Sequence, residues 1–278
     1  MRRARHVSQT CAGSLRRARR AVTTWRLLLE TDPTDGRVNM ARDRAIQLAH
    51  ARGIAPPTLR IYGWSRPTVS IGRFQRSTDV DRAACDAAGV GLVRRFTGGR
   101  GVLHDDEITY SVVAGVQEGL PRSVSASYRV LCGMLVEAYA ILGVSARLTA
   151  RTRGDSRSPA CYLHATQADV SVGDAKLSGS AQVWYEGTVL QHGSIVRDRD
   201  AEWEARIFGL DVRDARALKA ETVTLKGLLG NEAPDNDAIA AALVAGFERT
   251  FGVEIQPGSL TGFEAAREKE LVLSAGML

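Results

Sequence analysis

The chain has 278 residues, 44% hydrophobic and 24% charged, an ordinary balance for a globular protein of one large domain or two small ones. It contains no apolar run near the roughly 20 residues of a membrane helix, so no membrane partner is expected. The net charge is +6, but residues 1–24 hold seven arginines and no acid; without them the remainder carries about −1, which weighs against a nucleic-acid-binding body.

Residues 1–24 are therefore read as a basic, unstructured extension. Being Arg-rich and acid-free, it is either transit-like or upstream of the true start, with nucleic-acid binding the lesser reading. It lacks the long apolar stretch of a secretory signal, and the expected compartment is the cytoplasm. The folded domain is expected to span 25–278.

Asn39 opens an expected helix over 39–51 that ends near Gly53. Short strands follow at 58–64 and 68–72, around the Arg66-Pro67 turn. Asp79 or Asp81 caps a helix running to Ala88 and stopped by Gly89. Residues 91–96 and 108–114 read as strands. A long helix covers 123–142, with Tyr128, Leu131, Leu135, Ala138 and Ile141 at helical spacing and Gly143 as its stop. The polar segment 151–159 reads as a loop. Strands are expected at 167–172, 176–185 and 188–196, the last two joined by a Glu186-Gly187 hairpin. The pattern then turns helical: Ile239, Leu243, Phe247 and Phe251 recur every four residues behind an Asp235 or Asp237 cap, and 260–271 forms a last helix. Strands and helices mix without strict alternation, which gives an α+β fold with a mixed, largely antiparallel sheet flanked by helices.

Four cysteines stand at 11, 85, 132 and 161, with no CxxC pair, and the five histidines are dispersed. No metal site and no disulfide framework are expected. Cys85 and Cys132 sit in apolar patterns and read as packed thiols.

Two segments concentrate chemistry. Arg94-Arg95-Phe96-Thr97-Gly98-Gly99-Arg100-Gly101-Val102-Leu103-His104-Asp105 places two arginines and a glycine turn just after an apolar strand. Glycines let a ligand approach main-chain N–H groups, and arginines hold carboxylate or phosphate oxygens. Taken alone, this is equally a solvated turn between strands. The second segment, Lys176-Leu177-Ser178-Gly179-Ser180-Ala181-Gln182, sets a lysine among small residues. There the ammonium could polarise an acyl carbonyl, although a strand lysine is commonly only solvated.

Together the two segments resemble the lipoate-protein ligase and biotin-protein ligase superfamily. Its first motif, Arg-Arg-x-x-Gly-Gly-Gly-Ala-Val-x-His-Asp, is met at Arg94, Arg95, Gly98, Gly99, Val102, His104 and Asp105, with Arg100 in place of the third glycine and Gly101 in place of the alanine. Its second, Lys-x-x-Gly-Ser-Ala-Gln, is met at Lys176, Gly179, Ser180, Ala181 and Gln182. Lesser echoes lie at 59–64, 70–75 and 190–194. The resemblance implies a fold like class II aminoacyl-tRNA synthetases and biotin ligases, with the ligand in a tunnel over the sheet.

Within the superfamily the chain is most similar to cysteine-dependent octanoyltransferases, which carry a cysteine followed by an aromatic about 15 residues before the motif lysine. Cys161-Tyr162 matches that spacing. The resemblance implies that Cys161 attacks an octanoyl thioester and that Lys176 assists; a nearby cation favours thiolate. It implies substrate contacts for Arg94, Arg95, Thr97, Gly98, Gly99, His104, Asp105, Gly179, Ser180, Ala181, Gln182 and His192. The implied donor is acyl carrier protein. The implied acceptor is a lysine of a lipoyl domain, such as the glycine-cleavage H protein. No cofactor is implied. The alternatives are lipoyl exchange between lipoyl domains, and an ATP-dependent lipoate ligase that would need ATP and magnesium. A non-enzymatic scaffold is a third reading, which the intact Cys161 and Lys176 oppose. His104 and Asp105 are adjacent, so on a strand they face opposite ways and do not form a dyad.

The extension has charge but no apolar periodicity, so it has nothing to pack with. Deleting residues 1–24 is expected to leave the melting temperature and activity nearly unchanged. A fall of several degrees would show that the arm docks on the domain.

Overall fold

The computed structural model describes residues 24–149, 153–154, 158–165 and 169–274. The basic extension up to residue 23, Cys11 within it, and most of the loop expected at 151–159 lie outside the described residues. In chain order the strands and helices are β1 Trp25–Leu29, α1 Gly36–Ala51, β2 Thr58–Tyr62, β3 Thr68–Ile71, α2 Arg82–Ala87, β4 Gly91–Arg94, β5 Val102–His104, β6 Glu107–Gly115, α3 Val124–Ile141, β7 Arg147–Leu148, β8 Arg153–Gly154, β9 His164–Ala165, β10 Val170–Val172, β11 Ala175–Ser178, β12 Ser180–Tyr185, β13 Thr188–Val196, α4 Ala201–Ile207, α5 Val212–Glu221, α6 Leu225–Leu229, α7 Asn236–Phe251, β14 Ile255–Pro257 and α8 Gly262–Ser274.

A six-stranded sheet in the order β12-β13-β6-β2-β1-β14 forms the floor of the molecule. Its β12–β13, β13–β6 and β6–β2 pairs are antiparallel, and β2–β1 and β1–β14 are parallel. The expected mixed, mostly antiparallel sheet is therefore present. Helices α3 and α7 pack on each other under one face, where Tyr110, Val112, Leu131, Leu135, Leu243 and Phe247 are buried. Helices α1 and α8 pack on each other, and α1 covers the opposite face over Val113 and Leu190. Each large side chain so buried contributes roughly 1.5–3 kcal/mol. Trp25, the first residue of β1, packs edge-on against Phe247 with ring centres 4.8 Å apart.

Helix α3 has the length and hydropathy of a membrane span by composition, which a search for one unbroken apolar run does not detect. It is a core helix, with Leu131, Cys132, Met134, Leu135, Ala138 and Tyr139 buried.

Two smaller three-stranded sheets sit beside the large one: β4-β3-β5 and β11-β10-β7. They correct the sequence reading at two places. The run expected as one strand over 176–185 is two strands in two sheets, broken at Gly179: β11 belongs to the small sheet and β12 to the large one. Helix α1 begins at Gly36, because the Asp35 carboxylate accepts the Arg37 N–H and caps it. Asn39, expected as the cap, is instead buried and donates to the Gly63 carbonyl. Of the expected cap candidates, Asp81 and Asp235 are the caps, and Ser123, expected as the first helical residue, caps α3.

The face of the sheet under α1 is polar at one point. Asp43 of α1 is buried and accepts from Arg60 Nη1 at 2.7 Å, Ser111 Oγ at 2.7 Å and Tyr62 OH at 3.1 Å. Burial opposes its charge, but Arg60 and then His192 outweigh it and hold the carboxyl down to about 2. A carboxylate lowered from about 3.8 to about 2 adds on the order of 2 kcal/mol of stability, present above pH 4 and lost as pH falls through about 2. Asp43→Asn is expected to destabilise the fold by about 3 kcal/mol, because Arg60 loses a buried partner. Its unfolding free energy, measured in urea, should also vary less between pH 4 and pH 2 than that of the parent. An unchanged pH profile would remove Asp43 from that role.

Candidate active site

Between the α1 face of the large sheet and the β4-β3-β5 sheet lies a pocket with about 510 Å³ of empty space, its open mouth included. Its walls are Met40, Tyr62, Trp64, Val102 and Tyr162, with Ser70, Thr109 and Ser194 as polar points. Of the residues singled out from the sequence, Arg95, Gly99, His104, Cys161, Gly179, Ser180, Ala181 and His192 line it.

Cys161 reaches the pocket through main-chain ties. Its N–H donates to the Gly101 carbonyl at 2.8 Å, and the Gly101 N–H donates to the Pro159 carbonyl at 3.0 Å. The end of the first motif thus holds the cysteine segment. A Cβ on Gly101 would lie 2.4 Å from the Phe208 ring, so only glycine permits that approach. Lys176 lies behind the cysteine at 2% exposure. Its Nζ donates to the Cys161 carbonyl at 3.1 Å, lies 3.7 Å from Sγ, and pairs with Asp169 Oδ2 at 3.0 Å. Burial works against this ammonium, but the Cys161 sulfur and then Asp169 outweigh it and raise Lys176 above its ordinary value. The lysine therefore stays charged at neutral pH, with its ammonium 3.7 Å from the sulfur. Gly179 clears the space: a Cβ there would lie 3.0 Å from both Cε and Nζ of Lys176.

Arg95 is 5% exposed and lines the same pocket. Its Nε, Nη1 and Nη2 donate to Thr97 Oγ1, the Ser70 carbonyl and the carbonyls of Gly98 and Arg100, at 2.7–3.2 Å. Burial pulls this guanidinium down to about 10, and the Cys161 sulfur opposes that fall. Arg94 likewise donates to the carbonyls of Gly72, Arg73 and Gln75. Of the two arginines expected to grip an anion, Arg95 thus ties down the turn that carries it, and Arg94 ties down the segment after β3. Thr97 stands behind the wall and bonds His192 Nε2 at 2.7 Å, while His192 Nδ1 faces Asp43 Oδ2 at 3.3 Å. With Asp43 ionised, Nδ1–H donates to it and Nε2 accepts from Thr97. Burial lowers His192 below its ordinary value, so it is neutral at pH 7.

His104 forms another wall, stacked on Trp64 at 4.0 Å, with Nε2 bonded to Ser70 Oγ at 2.8 Å and Nδ1 to Glu107 Oε1 at 2.6 Å. Asp105 faces away, among Asp106, Asp198 and Asp200. Burial, and then Asp106, Glu107 and Asp200, raise its carboxyl. Gln182 faces α3, bonded to Gln191 and Ser127. Asp105, Gln182, Arg94, Thr97 and Gly98 are thus outside the pocket lining.

Asp169 carried no sequence signal. It lies just before β10, whose Ser171 pairs with Lys176 across a register shift between Val170 and Ser171, and an acid inside an expected strand gives no warning of that. Trp64 and Ser70 lie in the two short echoes and acquire a place only once β2 and β3 are folded together.

The sequence profile of the lipoyl protein ligase A/B catalytic domain matches residues 35–248, and the chain belongs to that family. The octanoyltransferase LipM of Kyrpidia tusciae is 43% identical over 264 residues, covering 90% of this chain and 95% of its own. Among solved structures, lipoate-protein ligase A bound with ATP superposes with a TM-score of 0.75 at 25% identity, over 90% of this chain and 94% of its own. The bipartite lipoate protein ligase of Thermoplasma acidophilum, described with its E2 lipoyl domain, gives 0.72 at 25% identity, over 90% and 92%.

If the ammonium acts on the sulfur, Lys176→Ala and Gly179→Ala should each slow alkylation of Cys161 by iodoacetamide at pH 7 roughly tenfold, or about 1.4 kcal/mol. Melting temperatures should hold within a few degrees. Peptide mass mapping separates Cys161 from the buried Cys85 and Cys132. Parent-like alkylation rates in both variants would disconnect the lysine from the sulfur.

Proposed function

We propose that this chain is an octanoyltransferase of lipoate biosynthesis, working through a thioester on Cys161. One observation carries the chemistry: the Cys161 sulfur opens onto an apolar pocket while a buried ammonium stands 3.7 Å behind it. The 43% identity to an octanoyltransferase supports the acyl group.

The octanoyl chain lies against Met40, Trp64, Val102 and Tyr162. The Cys161 thiolate attacks the carbonyl carbon of the donor thioester. A carbon–sulfur bond forms to Cys161, and the donor thiolate leaves. Lys176 stays protonated throughout, and its charge offsets the negative charge passing through the site. The acceptor lysine then attacks as a neutral amine. The amide bond forms, the Cys161 thiolate departs and one proton goes to solvent. The donor in this reading is acyl carrier protein. The acceptor is a lipoyl domain, with the glycine-cleavage H protein first among candidates, and the proposed compartment is the cytoplasm.

The reaction as written uses no cofactor. An ATP-dependent ligase is the second reading, favoured by the likeness to the ATP-bound ligase. It is weakened by Arg95, whose donors are engaged by Gly98 and Arg100 of its own turn, and by Arg94, whose Nη1 is engaged by the carbonyls of Gly72, Arg73 and Gln75. Exchange of lipoyl groups between lipoyl domains would use the same Cys161 chemistry.

Incubation with octanoyl-acyl carrier protein, without nucleotide, should add one octanoyl group to Cys161 by intact mass, and a lipoyl-domain lysine should discharge it. Cys161→Ala should form no adduct, and Cys161→Ser at most a slow ester. Lys176→Ala should lose two to three decades of turnover, about 3–4 kcal/mol. Transfer by Cys161→Ala at the parent rate, or an obligatory need for ATP and free acid, would replace this reading with the ligase.

A further inference from the structure

Next to the acyl pocket lies a far larger groove, about 2020 Å³ by the same measure, which shares Met40 and Arg95 with it. Arg37, Arg44, Arg66, Arg73, Arg82 and Arg94 also line this groove, with Asp86 the one acid among its lining residues. Residues 25–278 together carry a net charge of about −1, so this concentration is local and not a property of a basic body.

Part of the charge is compensated. Arg37 and, more distantly at 4.0 Å, Arg66 pair with Asp35, Arg82 pairs with Asp86, and Arg94 is turned to main-chain carbonyls. Arg44 and Arg73 have no carboxylate within ion-pair distance among the described residues. Arg44 lies over the rings of Phe96 and Tyr185, at 5.5 and 4.5 Å, and Arg73 lies over the exposed Phe74 at 5.4 Å. Rings orient these guanidinium groups without neutralising them. Burial pulls Arg44 below its ordinary value, and the nearby Arg73 and Arg267 add to that. Like charges held together beside a reactive cysteine are balanced when an anion arrives.

We infer that this groove docks the acyl donor: an acidic carrier protein whose thioester hangs on a phosphodiester-linked arm. The inference rests on the octanoyltransferase reading. The groove is broad and cationic where a folded acidic surface and a phosphate would rest. It adjoins the pocket that Cys161 lines, sharing Met40 and Arg95 with it. The acceptor fits this entrance poorly, because its lysine is itself a cation and would be repelled by the same arginines.

The experiment uses the full chain with Arg66→Glu/Arg73→Glu, two exposed side chains outside the acyl pocket. Loading of Cys161 is followed with octanoyl-carrier protein and with octanoyl-pantetheine, a neutral thioester without the phosphate. Expected is a rise of about tenfold or more in KM for the carrier, little change in kcat, and unchanged loading by octanoyl-pantetheine. Raising salt from about 50 to about 500 mM should weaken parent loading by the carrier and barely affect the variant. Arg66→Lys/Arg73→Lys should restore most of the carrier KM. Equal loss with both donors, no loss with either, or a loss confined to discharge onto the lipoyl domain would each overturn the inference. Direct binding of the unacylated carrier protein separates the two readings. If parent protein binds it and the charge-reversed variant does not, yet octanoyl-pantetheine fails to load Cys161, then the docking surface stands and the transferase reading falls.

Discussion

A single buried carboxylate ties the scaffold to the site. Asp43 projects from α1 into the large sheet and collects hydrogen bonds from β2, β6 and β13 through Arg60 and Tyr62, Ser111, and His192. A carboxylate without these partners would be too costly to keep ionised in the interior. With them it fixes the height of α1 above the sheet, and so the position of Met40 at the pocket wall. It also sets the tautomer of His192, whose other nitrogen holds Thr97 in the glycine turn. The chain of bonds from Asp43 to Thr97 links a helix to a loop across the sheet. The histidine thus has a structural task that occupies both ring nitrogens, which leaves it no free nitrogen with which to serve as a base.

A second buried charge stands beside the cysteine. Lys176 sits on a small sheet that is separate from the main one, and Gly179 is the point where the chain passes between them. That break explains the motif's spacing. The lysine must lie behind the cysteine, the following residues must lie under the substrate, and the junction must have no side chain that would displace Nζ. Asp169 offsets part of the cost of burying the ammonium, while the sulfur takes the remaining side of its field. In a pocket with little water such a charge acts more strongly than it would at a surface, and it needs no rearrangement as the reaction proceeds.

Much of this was legible in the residues. Helical periodicity located α3 and α7, turn residues located the β12–β13 hairpin, and capping acids located α2 and α7, because each signal is local. The site was half legible. Cys161, Lys176 and Gly179 stood in motifs, whereas Asp169, Trp64 and Ser70 reach the site only through strand register and sheet stacking. The two-sheet nature of 176–185 was hidden because an alternating pattern continues through Gly179 unbroken. The roles expected for Arg94 and Arg95 were drawn from charge alone. A sequence does not reveal that the carbonyls of Gly98 and Arg100, the Thr97 hydroxyl and the Ser70 carbonyl of β3 together saturate the Arg95 guanidinium, and here they do.

That saturation bears on how the family's common scaffold supports different activations. The turn of a ligase must offer donors to an anionic adenylate. Here the third glycine of the motif is Arg100, whose carbonyl accepts from Arg95, and the turn closes on its own arginine. What remains inside the pocket is a fixed positive field from Lys176 and Arg95 around one sulfur. Such a field suits an acyl group that arrives already activated as a thioester, since the demand is then to hold negative charge on sulfur and carbonyl oxygen. It also disfavours a protonated amine in the pocket, so in the proposed transfer the acceptor lysine gives up its proton before it reaches the thioester. In the proposed transfer both halves of the reaction therefore draw on the same two cations, which would offset the charge on the attacking or departing sulfur and exclude the protonated amine.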